Sequence, residues 1–386
     1  MPDRTQSNSV IFHHPGPVIA DGKSGSQVRP YRLLDAFYKS GFEVEAVVGY
    51  GAERRRAINR IIADLANGRR FKFLYSEARS IPTLLTERNR FPAYPIMDFR
   101  FLSKIRAAKI PVGLFYRDVF WRFKVYRTML PLAGRMLTVP LYWYDWWWYR
   151  HVVDHLFLPS SGMAAHLPTA WPASRISALP PGCISTSRDH LQTSKRRKAK
   201  NLQLLYVGGV QPPKYDLTPL FQGVAQVGNW NLIVCCRLEE WVKWQDYYAS
   251  LINDRVEVVH VFGHALSTLY LNTDLCAFLV NPDPYLDFAV PVKLFEAIGY
   301  GLPIVTTAGT EAARLVCEQD LGWVVAGPSE LAALLTKIAE DRDLVREKAA
   351  SVLLAAQQQS WRSRVHEIAK QLERYQTRTR RDATRQ

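Results

Sequence analysis

The sequence predicts an α/β protein made of two doubly wound parallel sheets, and three observations carry that expectation. Short apolar runs recur along the chain with helical patterns between them, the alternation that parallel sheets require. The chain has 386 residues, enough for two cores when a domain takes about 100–200 residues. Between the halves, residues 168–200 collect Pro168, Pro172, Pro180, Pro181 and the run Lys195-Arg196-Arg197-Lys198 without hydrophobic periodicity. Such a stretch reads as a linker. The expected division is 1–180, a linker at 181–200, 201–360, and a C-terminal helix at 361–386 that crosses back to the first domain.

The elements follow in order. Val10–Phe12 is a short apolar run, followed by a Gly- and Pro-rich loop at His13–Gly25. A helical pattern covers Gln27–Ser40 and stops at Gly41; Glu43–Val48 is the next strand. Strand, loop, helix, strand is how a parallel sheet begins. Phe71–Tyr75, Val112–Phe115 and His155–Leu158 read as further strands, with basic helices at Arg54–Ala66 and Phe99–Ala108. In the second half the strands are Leu202–Val207, Asn231–Cys235, Val256–Val261, Leu275–Val280 and Pro303–Thr306. Asp343–Glu373 reads as one long helix, and Thr377–Gln386 as a frayed basic tail.

Composition narrows the classes. Apolar residues make up 48% and charged residues 22%, globular values that exclude wholesale disorder. No run reaches the roughly 18 apolar residues of a membrane span; Met136–Tyr149 comes nearest and carries Pro140 and Asp145. The polar start, Met1–Val10, lacks the apolar core of a signal peptide. Five cysteines without a CxxC suit neither a disulfide framework nor a zinc site. A cytoplasmic location is the expectation. The formal charge of +15 is uneven: residues 1–200 hold 32 Lys and Arg against 14 Asp and Glu, and residues 201–386 hold 18 against 21. The positive excess of the first half points to an anionic membrane face, a phosphate-bearing substrate or nucleic acid, or to a basic soluble surface.

The most informative segment runs from Asn281 to Thr307. A strand ends in a polar loop, Pro291 stands where a first helical turn accepts it, and a buried strand follows Pro303. Lys293 and Glu296 share one face near the start of that helix. The helix end offers free N–H groups to phosphate oxygens, and a carboxylate there can accept both hydroxyls of a ribose. By spacing alone the pair is either a grip on a nucleotide diphosphate or an ordinary surface ion pair.

This segment resembles the donor motif of GT-B glycosyltransferases, which have two Rossmann-like doubly wound domains facing each other across a cleft, and especially the retaining family 4 (group 1). In that family a helix reading Glu-Ala-x-x-x-Gly-x-Pro-Val binds the nucleotide ribose through its Glu. Glu296, Ala297, Gly301, Pro303 and Ile304-Val305 match it position by position. Many relatives carry a second Glu eight positions earlier, where this chain has Phe288 beside Asp287. The resemblance therefore leaves contact with the transferred sugar to Asp287 or to the backbone of Phe288, Ala289 and Val290. A second match is Val207-Gly208-Gly209 followed by Lys214. Relatives have Arg in place of Gly209 and clamp the diphosphate with that Arg and the Lys. Arg237, just past the next strand, is the candidate for the missing cation, since an Arg fork binds phosphate bidentately.

In the first half, Gly25, Ser26 and Arg29 lie where a glycine-bearing loop meets a helix N-terminus, a setting that favours an anion. The resemblance implies that this loop faces the donor. No P-loop is present. Tyr116, Arg117 and Asp118 follow the strand at 112–115. Relatives often place a His near Tyr116, which this chain lacks. Arg117 is a candidate to hold developing negative charge and Asp118 to bind acceptor hydroxyls or take a proton; a buried Arg–Asp pair at the strand end is the structural alternative. Glu77 and Asp98 are weaker acidic candidates.

Residues 101–150 hold 14 aromatic residues, with Trp121, Trp143, Trp146, Trp147 and Trp148 among basic side chains. Trp and Tyr favour the lipid boundary, and Lys and Arg favour anionic headgroups, so a membrane or acceptor patch is expected. Aromatics among basic residues also stack on bases, but no nucleic-acid-binding signature accompanies them.

The resulting expectation is an enzyme that moves a sugar from a nucleotide-diphosphate donor to a lipid-linked saccharide or envelope polysaccharide. It would work at the inner face of the plasma membrane, without metal or other cofactor and with retention. Two alternatives stand beside it: a nucleotide-sugar epimerase or other GT-B chemistry, and a non-catalytic basic protein that binds membrane or nucleic acid on the same scaffold.

Overall fold

The structure, a computed structural model, describes residues 8–20, 22, 25–186, 201–281 and 283–384, with the backbone alone for 376–384. The chain divides into two compact units, 1–180 with 361–386, and 181–360. The run Lys195–Lys198 and most of the expected linker lie outside the described residues.

In the first unit β1 (Ser9–His13), β2 (Glu43–Val47), β3 (Leu74–Glu77), β4 (Val112–Phe115), β5 (His155–Leu158) and β6 (Ile176–Ala178) form one sheet. Its order is β2-β1-β3-β4-β5-β6, and all pairings are parallel. β1, β3, β4 and β5 are buried along their whole length, as strands covered on both faces must be. The helices here are α1 (Gly25–Lys39), α2 (Gly51–Ala66), α3 (Met97–Ala107), α4 (Lys124–Met129) and α5 (Leu132–Val152).

The second unit holds β7 (Leu202–Val207), β8 (Trp230–Cys235), β9 (Val256–Val259), β10 (Leu275–Phe278), β11 (Ile304–Thr307) and β12 (Gly322–Val325). They form a parallel sheet in the order β12-β11-β10-β7-β8-β9. Among the described residues its helices are α6 (Thr218–Ala225), α7 (Leu238–Tyr248), α8 (His264–Leu271), α9 (Val292–Gly299), α10 (Glu311–Glu318), α11 (Pro328–Glu340) and α12 (Asp343–Gln358). In this order the chain leaves β7 toward one side of the sheet and β10 toward the other. The carboxyl ends of those neighbours are where open α/β sheets bind ligands.

The last helix, α13 (Trp361–Thr384), belongs to the first unit. It packs Trp361, Val365, Ile368, Ala369 and Leu372 against Phe12, Phe37, Tyr75 and Phe157. Gly113 of β4 lets it approach: a Cβ there would stand 2.9 Å from the Leu372 methyls.

Three details differ from the sequence reading. The single helix expected over 343–373 is two, because α12 buries Val352 and Ala356 in one unit while α13 buries its own face in the other. Between them Ser360 bridges Cys183; the break has no Gly or Pro and falls at the 360/361 boundary of the expected domain division. The tail expected to fray is helical to Thr384, again with no helix breaker in its sequence. β6 lies inside the segment read as linker, and β12 was not anticipated; both are edge strands and partly exposed, so neither carries a buried apolar run.

Candidate functional site

In the second unit, the loops after β7, β8 and β10 share the carboxyl edge of one parallel sheet. α9 starts after Pro291, which supplies an extended N-cap and lacks the N–H that a first turn leaves unused. One turn in, Lys293 Nζ lies 2.9 Å from Glu296 Oε1 and 2.7 Å from Oε2. The two side chains are 29% and 27% exposed, so both ions remain accessible. From the buried side the Tyr270 hydroxyl donates to Glu296 Oε2 at 3.2 Å. The Tyr270 ring stacks on Tyr300 at 4.9 Å. Burial, and then the Glu296 charge, hold the Tyr270 phenol well above its usual pKa, so it stays a donor.

The loop after β7 is braced from below. The Tyr206 hydroxyl donates to the Gly209 carbonyl at 2.6 Å, and the Tyr248 hydroxyl donates to the Val210 carbonyl at 3.0 Å. A Cβ on Gly209 would lie 2.7 Å from the Tyr215 ring and 3.2 Å from Glu240 Oε2. The loop therefore has no room for the Arg that relatives carry there. Glu240 accepts from the Val210 N–H at 3.2 Å and from Arg237 Nη1 at 2.7 Å. One carboxylate thus ties the exposed Arg237 guanidinium to the Gly209 loop. Lys214 lies with its Nζ 4.7 Å from the Tyr285 ring centroid and 5.0 Å from that of Tyr215, which joins this loop to the one after β10.

Within the β10 loop, Asp283 organises a turn, its side chain accepting from the Tyr285 N–H at 2.8 Å. Its carbonyl accepts from Leu286 and Asp287 at 2.7 and 3.1 Å. Asp287 is exposed and Phe288 is buried, edge-on to Tyr285 at 5.6 Å. The Ala289 N–H donates to the Leu286 carbonyl at 3.2 Å, so of the backbone expected at the sugar this amide is already engaged. Val290 packs against the core under α9.

In the first unit the carboxyl edge carries a buried charge cluster centred on Glu77, the last residue of β3. Its Oε1 accepts from Arg29 Nε and the Tyr75 hydroxyl, both at 3.0 Å, and its Oε2 from Arg117 Nη2 at 3.1 Å. Arg29, expected at the donor, instead lies on the inward face of α1 with Leu33, Ala36 and Phe37. Its guanidinium covers the Phe115 ring at 3.6 Å. Gly25 and Ser26 form the first turn of that helix, and Ser26 is exposed. Arg117 bonds Glu77 and the Ala78 carbonyl, while Asp118 caps the turn at the Phe120 N–H at 2.9 Å. The charge of the neighbouring Asp118 bears on Arg117 as well. Burial lowers the Arg117 pKa against the pull of Glu77.

Beside this cluster lies a network of which the sequence reading named only Asp98. His13 Nδ1 sits 2.8 Å from Ser76 Oγ, and its Nε2 sits 3.0 Å from Asp98 Oδ1. Arg54 grips Asp98 with two bonds of 2.9 and 3.0 Å. Burial opposes the Asp98 charge, but His13 and Arg54 together hold its pKa below the ordinary value. Burial, then Arg117, keeps His14 neutral. The residues come from four separate elements, so no local spacing announces them as a group; beyond Asp98, the paired His13-His14 after the first strand was the visible signal.

The tryptophans separate into two groups. Trp121 stacks on Tyr142 at 5.1 Å, Trp148 on Phe99 at 5.4 Å, and the Trp146 N–H reaches Thr169 Oγ1 at 2.9 Å. These three serve the interior, against the expectation of a patch of five. Trp143 and Trp147 are 42% and 55% exposed, in line with Leu132 at 64% and Met136 at 70%. At 3.6 residues per turn the four lie within about 60° of arc on α5. Met129 is exposed as well, and Lys124, Arg127 and Arg150 are exposed nearby in sequence. Among the described residues, no helix is long and apolar enough to cross a membrane.

Residues 201–341 match the sequence profile of the family described as glycosyl transferases group 1. Among solved structures, the chain is similar to Anabaena HepE in complex with UDP, at 15% identity and a TM-score of 0.62, over 94% of this chain and 99% of that one. Sucrose-phosphate synthase from Thermosynechococcus elongatus gives 12% identity and a TM-score of 0.62, over 94% and 97% of the two chains. WaaG, a glycosyltransferase involved in lipopolysaccharide biosynthesis, gives 17% and 0.58 over 93% and 98%. At these identities the likeness is one of fold. No curated protein matches the chain.

Proposed function

Taking as premise a chain that is a GT-B-fold glycosyltransferase with a group 1 domain at residues 201–341, we propose that it uses a nucleotide-diphosphate sugar bound at the carboxyl edge of the second unit. The observation that carries this reading is the accessible Lys293–Glu296 pair one turn into α9. Glu296 accepts the two ribose hydroxyls. Lys293, Lys214 and Arg237 surround the diphosphate. Neighbours solved with UDP and UDP-glucose support this class of donor.

Transfer breaks the bond between the sugar's anomeric carbon and the diphosphate oxygen, and an acceptor oxygen takes its place. Negative charge grows on the departing diphosphate, and fixed cations and a helix N-terminus stabilise it best where they are already in position. In this reading no metal is needed, and the resemblance to family 4 favours retention. Asp287, exposed at the mouth of the β10 loop, is the side chain proposed for the transferred sugar.

The first unit takes the acceptor, a lipid-linked saccharide or envelope polysaccharide. Support comes from the exposed stripe Leu132, Met136, Trp143 and Trp147, which suits the apolar side of a membrane boundary, with Lys124, Arg127 and Arg150 for anionic headgroups. We place the protein at the inner face of the plasma membrane as a peripheral enzyme. Arg117 and Asp118 are the proposed acceptor-side groups, with Arg117 held in place by Glu77.

A thermal-shift screen against UDP, GDP, TDP and ADP sugars tests the donor reading, because a bound ligand raises the melting temperature by mass action. One nucleotide class should stabilise the protein, and Glu296→Gln should weaken its binding by about tenfold or more, the loss expected of charge-assisted bonds. Unchanged nucleotide affinity in Glu296→Gln overturns it.

A further inference from the structure

Both oxygens of the Glu296 carboxylate already have partners, and those partners bear on how a ligand can bind it. Both of its oxygens accept from Lys293 Nζ, at 2.9 and 2.7 Å, and Oε2 also accepts from the Tyr270 hydroxyl at 3.2 Å. The two partners differ in kind. Tyr270 is buried, and its ring is stacked on Tyr300, so it cannot leave without repacking. Lys293 is on the solvent side, 29% exposed, at the end of a flexible four-carbon stem. A ribose that takes the carboxylate in a two-oxygen grip comes from the side that Lys293 holds, so Lys293 is the partner able to give way and Tyr270 the one that stays.

We propose that Lys293, the counter-ion of Glu296 in this structure, exchanges onto the donor's diphosphate when the ribose takes the carboxylate. The inference rests on the donor reading above and adds an order of events to it. Tyr270 acts as the positioning residue, holding the carboxylate while its outer partner changes. The exchange makes the site read the nucleotide as a unit. A nucleoside has hydroxyls to offer Glu296 but no anion to receive Lys293, so it separates an ion pair without compensation. A nucleoside diphosphate supplies both. The site thus selects against nucleosides through the ion pair itself, and no steric barrier is required.

The experiment is a crossed calorimetric titration of the full chain and its Lys293→Met variant. It uses UDP with uridine, GDP with guanosine, TDP with thymidine and ADP with adenosine, and is read for the base that binds. Lys293→Met keeps the aliphatic stem, and Lys293→Gln serves as a second variant should the first fold poorly. The nucleoside should bind about threefold more tightly to the variant, the scale of a solvent-accessible ion pair. The diphosphate should bind about tenfold more weakly, the scale of a lost charge-assisted contact. Tyr270→Phe should weaken nucleoside and diphosphate by the same factor, because it loosens the carboxylate that both use. If Lys293→Met leaves both ligands unchanged, or weakens both together, the exchange is wrong and Lys293 is a plain helix-surface partner, with the ribose role of Glu296 intact. If Glu296→Gln changes neither ligand, the donor reading itself falls.

Discussion

Replacing Asp145 by Asn should stabilise the protein in alkaline solution and leave it nearly unchanged in acid. Asp145 lies inside the first unit on α5, with Oδ2 accepting the Thr83 N–H at 2.7 Å and Oδ1 buried without a partner among the described residues. Burial dominates over the Thr83 bonds and pushes its pKa from 3.8 up to about 7, with the Asp98 charge adding to the rise. The folded protein therefore keeps a proton that the unfolded chain releases at lower pH. Stability from this group is complete below about pH 4, falls as pH rises toward 7 and is lost above it. At 1.36 kcal/mol for each pH interval, the span from 3.8 to about 7 amounts to roughly 4 kcal/mol as an upper bound.

Asn keeps the acceptor for Thr83 and carries no charge to desolvate. Its amide replaces the unpartnered oxygen much as the protonated acid does, so the two proteins should match near pH 4. At pH 8.5 the variant should be more stable by about 2–4 kcal/mol. Urea unfolding at both pH values, with equal slopes, is the assay. A variant that is weaker at both pH values, or identical at pH 8.5, would refute the reasoning, because the carboxylate would then be held by its surroundings and not penalised by them.

Two further outcomes test the first unit. Glu77→Gln strips the shared anion from Arg29 and Arg117, whose Glu77 contacts are 3.0 and 3.1 Å. Leaving buried cations uncompensated should cost about 3–5 kcal/mol in urea unfolding at neutral pH, and a loss under about 1 kcal/mol would remove Glu77 from the centre of that cluster. The double change Trp143→Ser and Trp147→Ser should at least halve flotation with vesicles containing anionic lipid, while melting stays within a few degrees, since surface changes away from the core are usually small. Equal flotation would end the membrane role of that stripe.

Particular residues show what could be seen before folding. Lys293 and Glu296 are three positions apart, within one turn, so helix geometry alone brings them together. Lys214 could be named only through the resemblance, in which a Lys follows five residues after the position that Gly209 holds here. Arg237 was only a guess from its place after β8. Its tie to the Gly209 loop depends on Glu240 and on β7 and β8 being neighbours in the sheet. Glu77 was a weak candidate in the sequence because its partners Arg29 and Arg117 lie 48 and 40 positions away. Five tryptophans looked alike in composition, yet three face Tyr142, Phe99 and Thr169 and two face water. Composition cannot separate them, because which side of α5 is covered depends on what α3 and the turn at Thr83 bring to it.

By itself the sequence determined the alternation of strand and helix, the division into two sheets and the ion pair on α9, since each depends on residues within a few positions of one another. Only the tertiary structure decided which buried charges meet and which tryptophans are covered. Those outcomes follow from strand order and from the faces that packing leaves open, and both arise when segments far apart in the chain exclude water together.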